Sequence, residues 1–282
     1  MREIFQEVAF GYSASAAWLN TLSKVIREGA LSAPRGQPTL ELAHHAVHVE
    51  LARPLVGCPQ RRLSAQFAAA EALWILAGDD RVAPLATYAP QIARFSDDGA
   101  RLAGAYGPRV VAQLDYVLAK LLEDRDTRQA VLTTWVPNPA PSKDVPCTVG
   151  FNFTIRAGRL HCHAFMRSSD VWLGLPYDLF SFSLLAAKVA CLYNQRVEKL
   201  PDVPLEVELG WLHLTAASSH LYERDALAAR AILVAHHNGE ALVLTEPIPA
   251  GLVLAGDWPA LERALVCCRD DVLAEDVLWG VT

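Results

Sequence analysis

No stretch of these 282 residues reaches the ~20 consecutive uncharged apolar positions that a bilayer-crossing helix takes, so no membrane span is expected. Basic residues never cluster densely enough to track a nucleic-acid backbone, and the net charge is −6. Nucleic-acid binding is therefore not expected, and an anionic ligand would have to be held by a few placed arginines in a pocket. The opening MREIFQEVAFGYSAS carries an acid and no small-residue cleavage pattern. It does not read as a signal peptide, and the expected location is the cytoplasm. The six cysteines, Cys58, Cys147, Cys162, Cys191, Cys267 and Cys268, include no C-x-x-C pair and no small-domain disulfide framework. They read as reduced thiols, and any special one must be picked out by its neighbours. Repeats, low-complexity segments and long linkers are missing too, so residues 1–282 read as one domain.

What is present is an ordinary globular balance, 52% hydrophobic and 20% charged, enough for one large core. Arginine outnumbers lysine 20 to 5 and alanine is abundant, which points to a GC-rich source. The periodicities alternate between helix and strand. Residues 14–28 carry an amphipathic helical pattern ended by Gly29, and Thr39–Leu51 alternates as a strand. Ser64 is placed to cap a helix through Ala77, stopped by Gly78 and Asp79. A further helix is predicted over 108–123, beginning at Pro108, and a strand over Val131–Val136. Cys147–Arg156 and Leu160–Arg167 bracket an Ala-Gly turn and predict a hairpin. A long apolar helix over 174–194, a strand over 205–214, a helix near 221–231 and a short strand at 241–245 complete the prediction.

The stretch 146–185, PCTVGFNFTIRAGRLHCHAFMRSSDVWLGLPYDLFSFSLL, concentrates the chemistry. A cysteine opens one strand of the hairpin and R-S-S-D closes its partner, so Cys147 and Arg167 are expected to meet. A nearby guanidinium favours thiolate over thiol, which turns a cysteine into a nucleophile. Arg167 and Ser168 together offer a planar fork and a hydroxyl, a fitting clamp for phosphate. For an arbitrary Cys/Arg pair, a core cysteine beside a surface arginine is the simpler account.

The segment RSSDVWLGLP at 167–176, with the P-C at 146–147, resembles the thymidylate synthase family. The resemblance runs through nearly the whole chain in the family's order: EALWILAGD at 71–79, AGAYGPR at 103–109, DTRQAVLTTW at 126–135 and SSHLYERD at 218–225. It implies an α/β (α+β) thymidylate synthase fold, a mixed and mostly antiparallel sheet with helices, packed sheet to sheet in an obligate homodimer. It also implies 5,10-methylenetetrahydrofolate as co-substrate with a pyrimidine nucleotide. By the resemblance, Cys147 attacks C6 of the base, Glu71 organises water, moves protons around the ring and also borders the folate, and Tyr106 walls the active site. Arg35, Arg167 and Ser168 hold the 5′-phosphate, joined by Arg128 from the neighbouring subunit. His220 and Tyr222 bind the sugar 3′-hydroxyl, and Asp170 the pterin ring.

Three departures refine that reading. The family's base-reading asparagine is Asp178 here, in LPYDLF. Cytosine shows an N4 amino donor and an N3 acceptor, and a carboxylate can accept from N4–H₂ and from a protonated N3; when ionised it cannot donate to O4 of uracil. Asp178 therefore favours cytosine, as in the (deoxy)cytidylate hydroxymethylase branch of the family. The tryptophan set against the folate has no clear counterpart. An ungapped count from Gly78 puts Ala93 there, and a small shift offers Phe95. An opened wall lets water capture the intermediate, giving hydroxymethyl and tetrahydrofolate in place of methyl and dihydrofolate. Gln129 and Met166 also depart from the family pattern, without a mechanistic account.

His161-Cys162-His163 and His44-His45-x-x-His48 have the look of metal ligands. In a strand, however, 161 and 163 share one face while Cys162 points away, and no further ligand set sits at zinc-like spacing, so no metal is expected. Adjacent Cys267 and Cys268 read as packing residues. The expected activity is 5-hydroxymethylation of a cytidine 5′-monophosphate, CMP being favoured over dCMP by the GC-rich composition. The alternatives are thymidylate synthase activity on dUMP and a nucleotide- or RNA-binding relative that has lost catalysis.

Overall fold

The computed structural model describes residues 9–10, 13–198, 206–239, 245 and 247–270. In chain order the elements are β1 (Ala9–Phe10), α1 (Ala14–Glu28), β2 (Ala30–Ser32), β3 (Thr39–Glu50), α2 (Ala65–Leu76) and α3 (Val82–Ala86). They continue with α4 (Gly107–Glu123), β4 (Val131–Thr133), β5 (Thr148–Arg156), β6 (Arg159–Met166), β7 (Ser169–Asp170) and α5 (Leu175–Val197). The last are β8 (Glu208–Tyr222), α6 (Glu223–His237), α7 (Ala250–Leu254) and α8 (Trp258–Arg269). One mixed sheet runs β1-β3-β8-β6-β5-β4, with β2 beside β3 and β7 beside β8. The pairs β2–β3, β3–β8, β5–β6 and β4–β5 are antiparallel, and β1–β3, β6–β8 and β7–β8 are parallel.

Strand alternation sorts the sheet's two faces. Val47, Val49, Leu212, Leu214, Cys162 and Phe153 point inward and are buried. Against them lies α5, whose Phe180, Phe182, Leu184 and Leu185 are buried. By length and composition α5 could cross a membrane, yet most of it is enclosed by the rest of the fold. Helix α1 packs beside it through Trp18, Leu22 and Val25. The Trp18 indole, fully buried, donates to the Val171 carbonyl at 2.8 Å, which fixes the turn leading into α5.

The hairpin forms where the Ala-Gly turn predicts it. Ala157 and Gly158 both take positive φ, 49° and 75°, the twist that a two-residue connection between antiparallel strands needs. Ser64 accepts from the Phe67 N–H at 3.0 Å and starts α2. Elsewhere the structure moves the predicted boundaries. The strand at Val131 stops at Thr133, because Thr134 and Trp135 both donate to the Val149 carbonyl and break the ladder. The strand predicted to end at 214 runs on to Tyr222, since its pairing with β3 continues to Thr39. Residues 221–222 are thus strand, and α6 begins at Glu223. The strand predicted at 241–245 lies outside the described residues apart from Thr245, which belongs to no strand. Helices α7 and α8 carried no prediction.

Candidate active site

A cleft of about 210 Å³ opens between α2, the start of α4, the loop before β5 and the start of α5. Glu71, Tyr106, Asp144, Cys147 and Asp178 line it, facing an apolar wall that includes Trp74, Ile92 and Phe95. Glu71 and Trp74 reach it together because residues three apart on a helix share a face. Gly78 leaves α2 at φ 76°, and Asp79 then packs on Gly107, where a Cβ would meet the Asp79 carbonyl at 2.7 Å. That close approach brings Tyr106, at the start of α4, to the cleft, where its hydroxyl accepts from the Thr148 N–H at 3.2 Å.

The hairpin brings Cys147 and Arg167 together. The Arg167 N–H donates to the Cys147 carbonyl at 2.9 Å across the strand ends. Its guanidinium is pinned by the Pro146 and Val145 carbonyls at 2.8 and 2.9 Å, with Nη2 3.7 Å from Cys147 Sγ. The expected thiolate preference is corrected by the surroundings. Burial raises the Cys147 pKa, Arg167 opposes this, and Asp178, Asp144 and Asp170 push it up further. Desolvation outweighs one cation, so the net shift favours the thiol.

Two carboxyls sit deep in the cleft. Burial raises Glu71 to about 7, with Ser181 opposing. Asp178 is raised well above the usual aspartate value by burial, then by Glu71 and Asp170. Helix α5 begins at Leu175, so Asp178 stands inside its first turn, and the N-cap at Gly174 has no side-chain bond. Asp178 therefore caps nothing. Its Oδ2 lies 3.4 Å from where a Cβ of Gly174 would be, with no side chain between them.

A second group gathers where β7 meets β8. Ser168 Oγ lies 3.4 Å from His220 Nδ1, and Tyr222 meets the His220 ring edge-on at 5.3 Å. Burial lowers the His220 pKa; Asp170 and Glu41 oppose this, while Arg167 and Arg35 add to it, which places both arginines within its electrostatic reach. Arg35 is exposed and holds a left-handed conformation, φ 53° and ψ 32°, in a short turn. Asp170 is partly committed to structure, since its Oδ1 accepts from the Trp172 and Leu173 N–H groups at 2.9 Å each.

Other predicted residues stand apart. Arg128 is exposed between α4 and β4 and does not line this chain's cleft. Ala93, which the ungapped count selects, is exposed and off the cleft, whereas Ile92 and Phe95 line it. Met166 is buried on the core side and Gln129 is exposed. Cys162 points inward, whereas His161 and His163 share the outer face with His48 and His213, whose ring nitrogens touch. Among the described residues no group of three or more His, Cys, Asp or Glu is arranged to hold a metal. Sequence reasoning passed over Asp144, Trp74 and His213. Asp144 lay in an irregular Pro-rich loop, and its one signal was its place three residues before Cys147.

The thymidylate synthase family profile matches residues 16–238. The deoxyuridylate hydroxymethyltransferase of Bacillus phage SP01 is 30% identical over 240 residues, covering 76% of this chain. The chain spans 58% of that phage protein's length. The profile takes in every element that builds the cleft, from α1 to α6, and the motifs follow in the family's order along one mixed sheet. This chain belongs to the thymidylate synthase family.

Proposed function

We propose that the protein is a folate-dependent transferase that hydroxymethylates C5 of a cytidine 5′-monophosphate, acting as one catalytic domain, residues 1–282, in a homodimer. Methylenetetrahydrofolate supplies a carbon at the oxidation level of formaldehyde. The apolar wall of Trp74, Ile92 and Phe95 suits a flat pteridine. Cys147 adds to C6 and makes C5 nucleophilic, and Glu71 moves protons near the base, its raised pKa matched to neutral pH. Tyr106 fixes the start of β5, and with it Cys147, through the Thr148 N–H. Arg167, Ser168 and Arg35 take the phosphate, with Arg128 of the second subunit, while His220 and Tyr222 take the sugar. Asp170 offers its second oxygen to the pterin.

The observation that carries the cytidylate reading is Asp178: a carboxyl aimed into the cleft that caps no helix and meets no donor among the described residues. The pairing with cytosine needs one proton shared between Asp178 and ring N3. Ring N3 is far more basic than O4 of uracil, so cytosine shares that proton while uracil leaves it on the aspartate. The raised pKa of Asp178 is what such a shared proton requires. Water as the final acceptor is supported by the hydroxymethyltransferase activity named for the phage relative.

A second reading, deoxyuridylate as substrate, is favoured by that same relative. A neutral Asp178 would then donate to O4 and accept from N3–H. Turnover of CMP, dCMP, UMP and dUMP measured side by side with methylenetetrahydrofolate separates the two. Cytidylate should have the highest kcat/KM and CMP should exceed dCMP. A preference for dUMP would replace the cytidylate reading with the second one.

A further inference from the structure

Hydroxymethylation needs a group that takes a proton from water, and Asp144 is a third carboxyl in the cleft beside Glu71 and Asp178. We propose that Asp144 is the general base that activates this water, a role that rests on the hydroxymethyltransferase reading. It lines the same cleft as Cys147, three residues before it, at the rim where Phe95 and Lys143 are exposed and solvent enters.

Its placement is built rather than incidental. Asp144 Oδ2 accepts from the Gly104 N–H at 2.7 Å, and its own N–H donates to Ser142 Oγ at 3.0 Å. Ser142 in turn donates to Asp97 Oδ2 at 2.6 Å, and the Lys143 N–H donates to Asp97 Oδ1 at 3.1 Å. Gly104 makes room for the carboxylate: a Cβ there would lie 2.9 Å from the Asp144 carboxyl carbon and from Oδ1. Oδ1 meets no donor among the described residues, so one oxygen is anchored and the other is available to a water.

The step balances as follows. After the folate leaves, C5 of the nucleotide carries a methylene group conjugated with the ring, and C6 is bonded to Cys147 Sγ. Water oxygen bonds to the methylene carbon as Asp144 takes the water proton, and the electron pair moves into the ring. The ring pair then re-forms C5=C6 and expels the Cys147 thiolate. The hydroxymethyl nucleotide departs, and the proton on Asp144 returns to the thiolate or to solvent. Burial raises the Asp144 pKa, the Gly104 N–H and Arg109 oppose this, and Asp97 adds to it, which makes the carboxylate a stronger base than an exposed aspartate.

The rival account is that Asp144 only holds the Gly104 loop. Asp144→Asn separates the two, because asparagine keeps an acceptor for the Gly104 N–H. The nucleotide that wild type prefers, tritiated at C5, is given to both proteins with methylenetetrahydrofolate, with and without 2-mercaptoethanol. The variant should release one tritium per site at close to the wild-type single-turnover rate. Hydroxymethyl product should form about 10²-fold more slowly, and 2-mercaptoethanol should divert the methylene into a thioether. Unchanged hydroxymethyl formation, or tritium release that falls in step with product, would overturn the role of Asp144. A wild-type protein that makes methyl nucleotide and dihydrofolate would instead remove the hydroxymethyltransferase reading, and this role with it.

Discussion

Asp178→Asn changes one atom at the position where base choice is proposed to be made. The two side chains have the same shape, Gly174 leaves room beside Oδ2, and no cap is lost, so packing should be unchanged. What changes is hydrogen bonding: the amide always presents one donor and one acceptor and cannot share a proton with N3. A mismatched buried hydrogen bond costs ~1–3 kcal/mol, so selection for cytidylate over uridylate should fall by roughly one to two decades in kcat/KM. Stability should move the other way. Because the folded Asp178 pKa is raised above the usual 3.8, the folded state binds more protons than the unfolded state above that pH. Stability contributed by the protonated carboxyl is present below pH 3.8 and is lost as pH rises toward the folded pKa. The variant escapes that loss, so its Tm at neutral pH should exceed that of wild type, with the gain shrinking as pH is lowered toward 3.8. Competition assays with paired nucleotides and thermal melts across pH measure both effects. Unchanged base selection together with an unchanged Tm would refute the reasoning.

Cys147→Ser should abolish turnover while nucleotide binding, measured by calorimetry, stays within a few-fold, since the phosphate and sugar contacts lie elsewhere; substantial residual kcat would rule out covalent catalysis. Glu71→Gln should lower kcat by ~10²-fold or more and remove an inflection near pH 7 from the wild-type rate profile, whereas persistence of that inflection assigns it to another group. Arg128→Glu should raise KM for nucleotide, and mixing it with Cys147→Ser should restore activity, since one site of each heterodimer is whole. No recovery after verified subunit exchange would place Arg128 outside its partner's site.

The sequence made the hairpin legible because its turn chemistry and alternation are local, and with it the approach of Arg167 to Cys147. The ends of β4 and β8 were not legible, because partners far away in the chain decide them: the Val149 carbonyl ends one and the length of β3 extends the other. The same limit applies within the site. A guanidinium beside a cysteine can be anticipated from spacing, but its effect on Cys147 depends on burial and on Asp178, Asp144 and Asp170, two of which come from segments beyond the hairpin loop. Asp178 was visible as a substitution in a motif, whereas its freedom from capping appeared only once α5 was seen to begin at Leu175. Asp144 gave no signal beyond its place three residues before Cys147, since its meaning comes from Gly104, forty residues earlier.

The most direct measurement is the identity of both products formed from CMP and methylenetetrahydrofolate, with the nucleotide followed by mass and the folate by absorbance. The account predicts a nucleotide heavier by the elements CH₂O, its oxygen drawn from labelled water, together with tetrahydrofolate. A nucleotide heavier by CH₂ with dihydrofolate, or no product from CMP while dUMP is consumed, would contradict it.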